Sequence, residues 1–304
     1  MGLKLENFLY SPVLRFYWQN KELKEEIYYA GLIRHIKRKN ISFLLTNILK
    51  SIYRLKFFVT FKKYNNSIYS VKYGLKSLTQ KKIIHGQQND IEYFKKLPVG
   101  TLAHKSLINE SKALKEFNAI GIKTMEKLDL IGDFCYSAVK GENKYLPDLI
   151  FINCVSKYPI KNKTTISDYF LDNKYFDRKI IDIENEIELA ISHGDLTVWN
   201  TFYDNGNFIM IDIECFKKSK IRYFDILYYI LSYEFYVNKN GHKIIFKKLT
   251  QFMKNHKIES YYLILFFYDL LEIKKTDLKD GFFIDIKSRL INEIDQLIRD
   301  YETY

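Results

Sequence analysis

The sequence predicts an α+β protein in two lobes, a small β-rich lobe followed by a larger, mainly helical one. Three observations predict it. Between residues 65 and 97 three short strand-like runs follow one another, separated by polar turns. From Tyr223 onward the apolar residues recur at helical spacing, as in Ile226, Leu227, Ile230 and Leu231. Between them lies His193-Gly194-Asp195-Leu196-Thr197-Val198-Trp199-Asn200 with Ile211-Asp212-Ile213-Glu214 behind it, the segment densest in reactive side chains. A length of 304 residues suits two lobes, and 47% hydrophobic residues can build a sizeable core. The division expected is an extension over 1–64, a first lobe over 65–139 and a second over 140–304.

The extension is basic. Residues 27–89 hold thirteen Lys or Arg and no Asp or Glu, so the rest of the chain sums to −1 against a total of +12. Within it Ile41, Leu44, Leu45, Ile48, Ile52, Leu55 and Val59 recur at helical spacing beside Lys50, Arg54 and Lys56. This predicts an amphipathic basic helix. Such a helix can meet an anionic membrane surface peripherally, or pack its stripe on the first lobe with its lysines solvated. No zinc-finger, helix-turn-helix or RNP-like signature accompanies the charge, which argues against nucleic acid.

The strands of the first lobe are expected at residues 67–73, 81–85 and 91–97, with a loop over 74–80 and a polar turn at 87–90. The loop holds one glycine, Gly74, so it forms no glycine-rich phosphate cradle; Ser77 or Thr79 could supply a donor instead. Residues 106–114 read as a helix containing Glu110, and residues 134–141 as a further strand that turns at Gly141. The stretch to Leu189 is rich in acids, including Asp168, Asp172, Asp177, Asp182, Glu184, Glu186 and Glu188. Leu263, Leu265, Phe266, Leu270 and Leu271 recur at helical spacing, and the fully apolar run 261–268 stops at Asp269, too short for a membrane span, which predicts the buried central helix of the second lobe. Cys135, Cys154 and Cys215 are scattered, without zinc or disulfide spacing, as expected of a reducing compartment. With no apolar run of about eighteen residues and no signal-peptide order at the N-terminus, a cytoplasmic protein is expected.

The chemistry concentrates after residue 192. Two apolar-rich runs flank Asn205-Gly206, the dipeptide that best tolerates the positive φ angles of a tight hairpin. The hairpin returns Asp212 to Asn200, while Asp195 begins the same loop. A carboxylate can orient or deprotonate a hydroxyl, and an amide oxygen with a second carboxylate can hold Mg²⁺ on nucleotide phosphates. The pattern points to metal-assisted phosphoryl transfer.

These residues resemble the aminoglycoside phosphotransferase and choline kinase-like family, a branch of the protein-kinase-like fold. Arg222-Tyr223-Phe224-Asp225-Ile226-Leu227 is similar to the segment in which that family buries an Asp that braces the catalytic loop. The likeness runs from about Tyr69 to the C-terminus and is specific only between His193 and Leu227. It implies ATP or GTP with Mg²⁺, and transfer of the γ-phosphoryl group to a hydroxyl-bearing small molecule. Asp195 would be the catalytic base, Asn200 and Asp212 the metal ligands and His193 a structural member of the loop. Glu214 stays open between a metal contact and a solvent-facing position. The resemblance also implies a phosphate-binding lysine held by a glutamate, here Lys95 with Lys96 as its rival, and Glu110. Backbone groups around Ser137 to Val139 would meet the adenine edge. The Trp199-Asn200 ending looks like members associated with bacterial surface-polysaccharide synthesis. The family's C-lobe acids often bind cationic substrates, although here they also read as solvated helix faces.

Two function classes are thus in play. One is an active small-molecule kinase. The other is a pseudokinase or binding module that kept the fold for recognition at an anionic membrane or polyanionic partner. The full set of Asp195, Asn200, Asp212, Lys95 and Glu110 favours the enzyme. HGD and IDxE in place of HRD and DFG argue for small-molecule acceptors over protein substrates.

Overall fold

The computed structural model describes residues 9–11, 16–18, 68–73, 81–129, 133–139, 141–177, 185–278 and 284–302. The expected basic helix around 41–59, the loop at 74–80, Asp182 and Glu184 lie outside them. The chain divides into two compact units, residues 1–107 with 126–138, and 108–125 with 139–304.

The first unit is built on an antiparallel sheet in the order β1-β2-β3-β4-β5-β6. Its strands are β1 (Leu9–Ser11), β2 (Phe16–Trp18), β3 (Ile68–Tyr73), β4 (Lys81–Gln88), β5 (Ile91–Pro98) and β6 (Cys135–Ser137). Two of these strands thus come from the stretch read as an extension. β4 also runs three residues beyond the predicted end. Asn89 and Asp90 have φ of 49° and 62°, so two residues close the β4–β5 hairpin and Gln88 pairs directly with Ile91. Ile84, Tyr93, Cys135 and Tyr136 are buried in this unit.

Helix α1 (Ala103–Ala119) contains the unit boundary. The second unit carries a three-stranded antiparallel sheet of β7 (Ile160–Thr165), β8 (Glu186–Ser192) and β11 (Lys217–Ile221), with β8 in the middle. A separate hairpin joins β9 (Thr201–Asp204) to β10 (Asn207–Met210). Its turn residues Asn205 and Gly206 have φ of 46° and 86°, the double positive φ expected of Asn-Gly.

The helices are α2 (Pro147–Asn153), α3 (Ile166–Tyr169), α4 (Phe224–Tyr236), α5 (His242–Asn255), α6 (Tyr261–Leu278) and α7 (Ile284–Glu302). On α7 the buried residues Leu290, Ile291, Ile294, Leu297 and Ile298 follow the spacing of one helical stripe. α4 and α6 are buried on nearly every side and form the middle of this unit's core.

α6 carries the acidic Asp269 between buried apolar residues. The reason is a partner distant in the chain. Lys220 Nζ lies 2.6 Å from Asp269 Oδ1, and the Tyr169 hydroxyl donates to Oδ2 at 3.0 Å. Lys220 also sits over the Phe224 ring, 4.7 Å from its centroid. A buried carboxylate so supplied with donors can sit inside a helix that would otherwise exclude it. Among the described residues no helix is long and apolar enough to cross a membrane.

Candidate active site

β8 leads its buried residues Leu189, Ala190 and Ile191 through the second unit's core and ends at Ser192, where the reactive loop begins. Asp225, in the first turn of α4, receives that loop. Its Oδ1 accepts from Ser192 Oγ at 2.7 Å and from the Gly194 N–H at 3.0 Å, and its Oδ2 accepts from the His193 N–H at 2.6 Å. Asp225 is 1% exposed, so its charge is held by these donors and not by water. The brace expected at this position is present.

His193 is fully buried. Its Nε2 meets the Ile211 carbonyl at 2.9 Å, and a carbonyl can only accept, so the ring proton sits on Nε2. Nδ1 then accepts the Asp195 N–H at 3.3 Å. The imidazole ties the loop to the end of the hairpin and is occupied on both nitrogens, which fits the structural role expected of it.

Gly194 has φ of +80°, and a Cβ there would stand 2.2 Å from the Cys215 carbonyl oxygen. Only glycine fits. Gly194→Ala is expected to lose about 2 kcal/mol or more, because left-handed strain alone costs about 1–3 kcal/mol. Chemical denaturation would show this as a lowered midpoint, and an unchanged midpoint would contradict it.

Asp195, Asn200 and Asp212 come together as predicted. Asn200 ends a short 3₁₀ turn, Val198–Asn200, and is buried. Its Nδ2 donates to the Asp195 carbonyl at 2.9 Å and to Asp195 Oδ2 at 3.3 Å. The amide nitrogen is thereby committed to Asp195. The Ile211 N–H donates to the Asn200 carbonyl at 3.0 Å, so Asp212 follows one residue beyond a fixed point. Asp212 adopts φ 58° and ψ 46°, a left-handed conformation that is uncommon for a residue with a side chain. Nearby, Asn109 Nδ2 donates to the Glu214 and Phe216 carbonyls at 2.8 and 3.1 Å, anchoring the turn that follows Asp212.

Burial raises the Asp195 carboxyl above its ordinary range, and the Asp212 charge adds to this. Lys274, His193 and the Tyr228 hydroxyl work in the opposite direction without cancelling the rise. Tyr228 and Lys274 were not legible as members of this site. Tyr228 stands three residues after Asp225 on α4, which puts both on one face, but nothing in the sequence links α6 to it.

The remaining candidates divide between the units. Lys95 and Ser137 belong to the first, Glu110 and Val139 to the second. Strand alternation turns the two lysines to opposite faces. Lys96 is 7% exposed and lies 5.6 Å from the centroid of the Tyr136 ring, while Lys95 is half-buried and pairs across the sheet with Cys135. Lys95 and Tyr136 neighbour a thiol, Cys135, that burial pushes above its usual range. Glu110 is fully buried in α1. The Ser137 N–H donates to the Glu126 carbonyl at 2.8 Å, and the Ala138 N–H to the Glu92 carbonyl at 3.0 Å. Ser137 therefore has no N–H to give a base. In the acidic stretch Glu188 is ion-paired with Arg222, a structural use of one of its charges. Among the described residues no group of three or more His, Cys, Asp or Glu side chains is arranged to hold a metal, so any ion here would take part of its shell from elsewhere.

No protein-family model matches the chain, and no curated protein matches it in sequence. Among solved structures it is similar to an amicoumacin kinase in complex with AMP-PNP, Ca²⁺ and its substrate, at 11% identity, 76% of this chain, 88% of that one and a TM-score of 0.45. A thermostable mutant of an aminoglycoside phosphotransferase gives 13% identity, 77% and 95% coverage and a TM-score of 0.47. The choline kinase of Streptococcus pneumoniae gives 13% identity, 72% and 90% coverage and a TM-score of 0.46.

Proposed function

We propose that the chain is a phosphotransferase that moves the γ-phosphoryl group of ATP or GTP to a hydroxyl of a small molecule or sugar. The Trp199-Asn200 ending suggests a surface-glycan precursor as the acceptor. One observation supports the reading: Asn200 Nδ2 is committed to Asp195, and the Ile211 N–H is tied to the Asn200 carbonyl one residue before Asp212.

In this reading Asp195 orients the acceptor hydroxyl and takes its proton as the oxygen attacks phosphorus in line. A raised carboxyl suits a group that must accept a proton rather than merely carry charge. Asn200 Oδ1 and Asp212 are hard oxygen donors, and they fit Mg²⁺, which commonly takes one or two carboxylates and completes its shell with phosphate oxygens and water. The bound ion would neutralise charge on the nucleotide phosphates. Lys95, or the more buried Lys96, would add a positive charge to those phosphates, and Glu110 would support it. Backbone groups around Ser137 to Val139 would meet the base edge, Ser137 through its carbonyl, since its N–H is engaged by Glu126.

Calorimetry of ATP and GTP binding with and without Mg²⁺ tests this. Nucleotide is expected to bind in a metal-dependent way, and Asp212→Ala is expected to lose the metal dependence. If neither nucleotide binds at millimolar concentration, the reading fails.

A further inference from the structure

Asp212 sits at φ 58° and ψ 46°, a conformation that persists only where its surroundings dictate it. Upstream it is held through Ile211, whose N–H donates to the Asn200 carbonyl at 3.0 Å and whose carbonyl accepts from His193 Nε2 at 2.9 Å. Downstream comes a 3₁₀ turn, Ile213–Cys215, too short to satisfy its own last carbonyls. Asn109 of α1 meets the carbonyls there. Its Nδ2 lies 2.8 Å from the Glu214 oxygen and 3.1 Å from the Phe216 oxygen.

Both partners are carbonyls, which only accept, so the amide nitrogen must face them and spend both of its N–H groups. The side chain is thus a cap supplied to the turn by a distant helix. That helix is itself docked on the same segment. Phe117, about two turns further along α1, packs edge-on against Phe216 with ring centroids 5.8 Å apart. The turn also abuts the reactive loop, since a Cβ on Gly194 would stand 2.2 Å from the Cys215 carbonyl oxygen. Asp212 is therefore clamped on both sides, by Asn200 and His193 before it and by α1 after it.

We propose that Asn109 is a positioning residue for Asp212. Its two hydrogen bonds keep Asp212 in the left-handed conformation, so that the carboxylate is set in place before a cation arrives. Asn109 acts through the backbone and is not itself a ligand. This rests on the reading of Asp212 as a Mg²⁺ ligand. Residues one step removed from a ligand set metal affinity, because a ligand already in place loses little freedom on binding. Without Asn109 the backbone at Asp212 can relax to the more favourable negative φ, and the carboxylate moves with it.

The experiment uses the full chain with Asn109→Ala and Asn109→Asp, the second close in shape to the native residue should the first not fold. Metal-free crystal structures report φ of Asp212, and calorimetry reports ATP affinity across a Mg²⁺ series. In both variants Asp212 is expected to leave the left-handed region. The Mg²⁺ concentration that gives half of the affinity gain is expected to rise about tenfold to a hundredfold, while ATP affinity without Mg²⁺ stays unchanged. Asn109→Asp should lose at least as much as Asn109→Ala, because a carboxylate cannot donate to two carbonyls. Its added charge alone would have the opposite effect and draw the cation in. In an Asp212→Ala background the substitution at 109 should add nothing. Wild-type φ at Asp212 with an unshifted Mg²⁺ requirement would overturn the proposal, even if thermal stability fell, since Asn109 would then be merely structural. A lowered Mg²⁺ requirement in Asn109→Asp would overturn it too. If the wild type binds no ATP, the phosphotransferase reading fails, and φ of Asp212 in the variants still decides whether Asn109 positions it.

Discussion

Asp195→Asn is expected to lower phosphoryl transfer by about 10²–10⁴-fold, the contribution of a positioned general base, while nucleotide affinity changes little. The substitution changes little besides the proton chemistry. Asn is close to Asp in shape, its carbonyl oxygen can still accept from Asn200 Nδ2, and the backbone carbonyl that holds Asn200 is untouched. What disappears is a group able to take a proton. Asn200 and Asp212, the pair proposed to hold the metal, keep their place because the Ile211 N–H is tied to the Asn200 carbonyl independently of residue 195. Labelled γ-phosphate measures transfer and calorimetry measures binding. Undiminished transfer by the variant would sink the assignment of Asp195.

Asp225→Ala should produce the largest stability loss in this region, about 3 kcal/mol or more, since an unmet buried donor costs about 1–3 kcal/mol. Three donors lose their partner together: the Ser192 hydroxyl and the His193 and Gly194 N–H groups. All three lie at the start of the reactive loop, so activity should fall with stability. Asp225→Asn should lie between the two, because one carboxylate oxygen becomes an NH₂ facing a group that also donates. Urea denaturation measures the loss. A destabilisation under about 1 kcal/mol for the Ala variant would show that water or a rotated side chain replaces the brace, and that each donor costs less than the usual range.

The hairpin was legible because its information is local. Asn205-Gly206 selects its own φ angles, the runs beside it pair in register, and Asp212 is returned to Asn200 whatever the rest of the chain does. The β4–β5 turn obeys the same chemistry. There Asn89-Asp90 is a weaker signal than Asn-Gly, and the end of β4 was placed three residues short. Asp225 was legible by resemblance, and its hydrogen bonds follow the expectation. The buried helix around residues 261–271 was legible from its apolar spacing, but not the partner that lets Asp269 sit within it, because Lys220 lies 49 residues away. The bond from the Ser137 N–H to the Glu126 carbonyl joins residues eleven apart, a pairing that strand counting does not reveal.

By itself the sequence determined the α+β order of elements, the Asn-Gly hairpin, the opposite faces of Lys95 and Lys96, and the grouping of Asp195, Asn200 and Asp212. Each depends on residues close in the chain, where backbone geometry leaves few choices. Only the tertiary structure decided which of the two lysines is buried, which donors hold Asp225, why α6 can carry Asp269, and that Lys274 of α6 meets the Tyr228 hydroxyl of α4. Those outcomes depend on which buried polar group finds which partner. Burial makes the pairing obligatory, and packing between distant elements selects the partner.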